Sequence, residues 1–134
     1  MSAEDPAVDL DVVAHAGETY SAFVAAEGAR YAPDALGLTA PDRVRLWRAM
    51  ATPGAGELLS GGGVEALVFK GCADTGCADG ASIVAVDTGS GAAFAGVRDA
   101  GGLDILAPND RLEALLRLNS PTRSWDDPAT VAGA

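Results

Sequence analysis

Two glycine-bearing sequences, Thr88-Gly-Ser-Gly91 and Asp99-Ala-Gly-Gly102, separate three short apolar runs, and neither is long enough to hold a helix. Parallel neighbours need a crossover of about a dozen residues or more, so these runs can pair only as antiparallel strands joined by tight turns. The runs are Ser82–Asp87, Ala92–Val97 and Leu103–Leu106, preceded by a fourth at Val64–Gly71. Upstream of Ser60-Gly-Gly-Gly63 the apolar spacing is helical instead.

Thr39 at a cap position, Pro41 in the first turn and Asp42 three residues after the threonine mark a helix start. Leu46, Met50 and either Val44 or Trp47 are predicted as its buried face, and Thr52-Pro-Gly-Ala-Gly56 as its end. An earlier alanine-rich helix is expected over Glu18–Arg30, after Gly17, with Phe23, Ala26 and Arg30 on one stripe and Pro33 stopping it. Pro108-Asn-Asp110 opens a last helix that presents Leu112, Leu115, Leu116 and Leu118. The predicted class is therefore α+β: an antiparallel meander β-sheet with N-terminal helices and a C-terminal helix packed on it. Val64, Val68, Ile83, Val86, Phe94 and Val97 are expected to meet in one sheet core, with Leu112, Leu115 and Leu116 covering one side. Residues 10–120 form the expected domain, between a loose N-terminus (1–9) and a C-terminal tail (121–134).

A chain of 134 residues that is 49% hydrophobic can bury a core without a metal or disulfide staple. Nine Lys and Arg against 19 Asp and Glu give a net charge of −10, which repels phosphate backbones and anionic lipid. Nucleic acid and membrane surfaces are accordingly excluded as expected partners. No apolar stretch approaches the roughly 20 residues of a membrane-spanning helix. The acidic start, Met1-Ser-Ala-Glu-Asp-Pro-Ala, has no signal-peptide pattern. It fits a cytosolic chain, or a mature domain whose leader has been replaced by Met1.

Few residues carry recognisable chemistry. His15 is the only histidine, without a fixed relation to a serine or cysteine, and reads as solvated or capping. Two cysteines and one histidine cannot complete a four-ligand zinc site without a carboxylate, so no metal and no cofactor is expected. Gly61-Gly-Gly63 precedes a strand, the wrong order for a phosphate loop. Asp74, Asp79 and Asp87 lack calcium-loop spacing and read as solvated turn residues. A catalytic reading would have to rest on carboxylates such as Glu18 and Asp74, with no nucleophile or base beside them.

The informative segment is Gly71-Cys-Ala-Asp-Thr-Gly-Cys-Ala-Asp-Gly80, in which Cys72 and Cys77 flank the connection between the first two strands. Four intervening residues fit a small disulfide ring that shapes a loop at a strand end; two free buried thiols are the alternative. Around this segment the chain resembles the inhibitor of vertebrate lysozyme family of bacterial periplasmic proteins. Ala16-Gly-Glu-Thr19 precedes an Ala- and Phe-containing helix, and a strand leads into Cys72. Ile83-Val-Ala-Val86 and Phe94-Ala-Gly96 follow Cys77, and Leu106-Ala-Pro-Asn-Asp-Arg-Leu112 precedes the last helix. The resemblance runs over residues 10–120.

It implies helices on an antiparallel meander, a Cys72–Cys77 disulfide, and a partner-binding loop of Cys72, Ala73, Asp74, Thr75, Gly76 and Cys77. That loop would plug the active-site cleft of a c-type lysozyme or another cell-wall hydrolase, a basic glycosidase facing an acidic inhibitor. The family's best-known loop carries Lys-Pro-His-Asp between its cysteines, where this chain has Ala73, Asp74, Thr75 and Gly76. The resemblance further implies a non-enzymatic protein, periplasmic after removal of a leader, with a protein partner and room for a homodimer. The alternative keeps the fold with a different envelope-protein partner and no lysozyme inhibition.

Overall fold

The computed structural model describes residues 12–27, 31–32, 36–100 and 102–119. The expected tails (1–9 and 121–134), Arg30 and the Pro33 helix stop lie outside the described residues, as does the side chain of Leu118. A 3-10 turn at Val12–His15 leads to α1 (Tyr20–Glu27) and α2 (Ala40–Ala49). Six strands follow, β1 (Thr52–Pro53), β2 (Glu57–Gly61), β3 (Val64–Ala73), β4 (Gly76–Asp87), β5 (Ala93–Asp99) and β6 (Gly102–Ala107), and then α3 (Asp110–Asn119). All pairings are antiparallel, in the order β1-β3-β4-β5-β6, with β2 beside β1 on the same edge of β3. The α+β meander expected from the turn signals is the fold.

Local chemistry accounts for the elements. Thr39 caps α2 by accepting from the Asp42 amide at 3.3 Å, and Asn109 caps α3 by accepting from Leu112 N at 3.0 Å. Thr19 does the same for α1 through Ala22 N at 3.2 Å. Asp87, expected to be solvated, is buried instead: its Oδ1 accepts from the amides of Gly89 (2.8 Å) and Ser90 (3.2 Å), folding the β4–β5 turn around its own carboxylate. The triple glycine at 61–63 is a hairpin turn rather than a border. Gly62 and Gly63 take φ of 57° and 81°, as the type I′ turn joining β2 to β3 requires. Thr52–Pro53, expected only to end a helix, makes a two-residue strand at the sheet edge, where a proline's missing donor costs nothing.

The sheet buries both faces. One carries Val64, Ala66, Val68, Ile83, Ala85 and Phe94 under Leu112, Leu115 and Leu116 of α3. The other carries Leu67, Phe69, Val84, Val86 and Ala95 under Tyr20, Phe23, Tyr31, Leu38, Leu46 and Met50. This corrects the single-core expectation. Ile83 and Val86 differ in strand parity and cannot share a face, so Val86 turns toward α1 and α2. Val97 pairs with Ser82, whose hydroxyl reaches α2, and so also lies away from α3. The α1 stripe is corrected too: Tyr20 and Phe23 are fully buried, whereas Ala26 is exposed.

Arg45 locks α2 to the far side of the sheet. Its guanidinium donates twice to Asp99, Nε to Oδ2 at 3.0 Å and Nη2 to Oδ1 at 2.8 Å. It also reaches Asp104 Oδ2 at 2.7 Å and the Gly102 carbonyl at 3.2 Å. The paired carboxylates hold the guanidinium's pKa above its already high ordinary value, Asp99 contributing most.

Candidate partner-binding hairpin

The two central strands, β3 and β4, end together in a two-residue turn at Asp74–Thr75, closed by the pair Ala73↔Gly76. Asp74, Thr75 and Gly76 are all exposed. Neither Asp74 nor Thr75 has a positive φ, so this is not a primed turn of the kind that matches strand twist. The mismatch is absorbed on β4. Gly76 takes φ 126°, and the register then jumps so that Cys72 pairs with Ala81, leaving Cys77–Gly80 as extra residues on that strand. A rigid sheet thus carries a bent tip at its end.

Cys72 and Cys77 immediately flank the Ala73↔Gly76 pair, one on each strand. The Cys72 side chain is half-buried; the side chain of Cys77, the chain's other cysteine, lies outside those described. Beneath the tip the stem is braced from several sides. Ser82 Oγ donates to the Ala49 carbonyl at 2.8 Å and lies 3.6 Å from Met50 Sδ, tying the end of α2 to β4. Gly71 is pressed against Met50: a Cβ there would sit 3.0 Å from Met50 Cα, a distance that forces one of the two to move. Thr52 of β1 covers Cys72 from the other edge. The β5–β6 turn lies at the same end, since Gly80 pairs with Asp99 and Asp99 with Gly102.

The charge at this end is acidic. Asp99 and Asp104 are engaged by Arg45, whereas Asp74 and Asp79 face solvent. The tip therefore offers one hydroxyl (Thr75), backbone groups and a carboxylate, all at exposed positions.

The other residues singled out from the sequence are elsewhere. His15 is half-buried, with Nδ1 2.9 Å from Glu18 Oε1 and its ring edge-on to Phe23 at 5.1 Å between centroids, so it fastens the 3-10 turn to α1. Glu18 accepts the Gly56 amide on its backbone oxygen, level with the Val68–Phe69 part of β3. Asp74 lies five residues further along that strand, about 17 Å at ~3.3 Å per residue. The fold does not bring Glu18 and Asp74 together as a carboxylate pair. Among the described residues no group of three or more His, Cys, Asp or Glu could hold a metal ion, and no helix is long and apolar enough to cross a membrane.

The sequence reading missed one surface. Val44 and Trp47, of which one was expected inside, are both exposed, at 54% and 40%. The buried face of α2 is Leu46, Ala49 and Met50. No protein-family model matches the chain, and neither does any curated protein or solved structure.

Proposed function

We propose that this chain is a non-catalytic periplasmic protein that inserts its Cys72–Cys77 hairpin tip into the cleft of a protein partner, a c-type lysozyme or another cell-wall hydrolase. The observation that carries the reading is the tip itself. A two-residue turn with three exposed residues stands at the end of the two central strands, on a stem held by Met50, Ser82 and β1. Such a stem lowers the ordering cost of binding, because the presented loop has little freedom left to lose. The surface charge of −10 suits a basic glycosidase. A disulfide between Cys72 and Cys77 closes the ring.

Asp74 favours a second reading with the same fold. A cleft lined by two ionised carboxylates repels it unless one is protonated, so an envelope protein with a different cleft fits this particular tip better.

The test is a graft. Ala73-Asp-Thr-Gly76 is replaced by Lys-Pro-His-Asp, and residual c-type lysozyme activity is titrated against parent and graft at physiological ionic strength. We expect weak or no inhibition by the parent and a clear gain by the graft, by at least about tenfold in affinity, since a buried charged contact is commonly worth 2–5 kcal/mol. A graft that keeps the parent's circular dichroism yet inhibits no better defeats the scaffold reading.

A further inference from the structure

We propose that the outward face of α2 is a second docking surface, separate from the hairpin tip, that takes an acidic segment with an apolar anchor from a protein partner. Ala40, Arg43, Val44, Trp47 and Arg48 recur at intervals of three and four along α2 and line one open groove of about 590 Å³. The helix has already satisfied its core with Leu46 and Ala49 on the opposite side. A second apolar stripe is therefore surplus to folding.

Trp47 is anchored on one side by Tyr20, 5.4 Å between ring centroids, and presents the remainder to solvent. A large ring already fixed in place loses little entropy on binding, which is why tryptophans recur among the residues that dominate interfaces.

The charge argument selects the occupant. Three of the chain's nine basic residues lie in α2. Arg45 is turned toward Asp99 and Asp104 on the sheet; exposed Arg48 and part-buried Arg43, whose Nη1 donates to the Leu38 carbonyl at 3.0 Å, line the groove beside Val44 and Trp47. On a molecule of net charge −10, this strip is a local cationic and apolar surface within an acidic one. A basic partner would be drawn to the rest of the molecule; an acidic one finds matched charge here. Because the summed field repels an acidic ligand at long range, contacts must hold it at short range, giving slow association and modest affinity.

The probe is a fluorescein-labelled 12-residue peptide alternating Asp or Glu with Leu and Phe, beside a counterpart with Lys at every acidic position. Anisotropy is measured against the parent, Val44→Asp and Arg48→Glu, substitutions at exposed positions that leave the buried side of α2 intact. We expect micromolar binding of the acidic peptide, weakened at least about tenfold by each substitution, and no comparable effect of a tip graft. Equal binding by the variants overturns the proposal, as does tighter binding of the Lys peptide. A parent dimer broken by Val44→Asp, or adsorption to anionic vesicles lost in Arg48→Glu, with no peptide binding in either case, would assign the face to a second copy or to lipid and also overturn it.

Discussion

Tyr20 occupies a position that only a tyrosine fills well. Its ring is fully buried against Phe69, and its hydroxyl donates to the Tyr31 carbonyl at 2.5 Å, joining α1 to the segment that follows it. Burial holds the phenol well above its ordinary value of 10.0. The unfolded chain ionises near pH 10 while the folded chain keeps its proton. The associated stability is thus complete below about pH 10 and lost as the pH rises beyond it. Tyr20→Phe should cost about 1–2 kcal/mol at neutral pH, because the Tyr31 carbonyl loses its buried donor, and should flatten the alkaline loss. Urea denaturation of parent and variant at neutral pH and above pH 10 measures both; parallel alkaline losses in the two proteins would show that Tyr20 is not the group responsible. Residues of this kind mark the limit of reading a chain by pattern. Helical spacing groups Val44, Leu46, Trp47 and Met50 together, yet only packing decides that Leu46 and Met50 face the sheet and Trp47 leans on Tyr20.

Elements were legible in proportion to how local their causes are. The cap of α2, the start of α3 and the turn at Thr88–Gly91 are set by side chains within three residues, and pattern found these, though not the Asn109 cap or the buried Asp87 carboxylate behind them. β2 escaped because Glu57–Gly61 has no buried alternation and its pairing depends on the whole of β3. The register jump at Cys72/Ala73 escaped as well, since it arises from a mismatch between turn and strand twist that composition does not encode. The tip was located by the spacing of Cys72 and Cys77 between two strand-like runs, while the brace from Met50 and Ser82 was not. The proposed ring acts at this scale. Closing so short a loop removes chain entropy worth only about 2 kcal/mol, so the bond serves local shape more than global stability. Titration of the denatured, unreduced protein should find essentially no free thiol. Cys72→Ser with Cys77→Ser should still fold, losing no more than about 2 kcal/mol, with faster amide exchange at Asp74–Gly76 and unchanged protection in β5 and in the Ser82–Val86 part of β4. Two titratable thiols in the parent would remove the ring from the proposed mechanism.

For the molecule as a whole, long-range charge and the chemistry of the tip pull in opposite directions. Under the proposed function, the net charge of −10 would draw a basic glycosidase in from a distance, an effect on association rate that fades as added salt shortens the Debye length from about 30 Å at 0.01 M to about 8 Å near physiological ionic strength. Asp74, exposed at the tip, would act only after docking, against whatever lines the proposed partner's cleft, where water is displaced and screening is weak. The two contributions therefore separate kinetically. With c-type lysozyme as the partner, raising the salt should lower the association rate constant steeply and leave the dissociation rate nearly unchanged. Asp74→Asn should do the reverse, slowing dissociation while barely altering association, because one charge among a surplus of ten changes the far field little. Surface-immobilised lysozyme and a salt series with both proteins resolve the two constants. Tight, salt-resistant binding by the parent would mean that backbone donors and shape alone plug the cleft, and that the carboxylate of Asp74 points away from it.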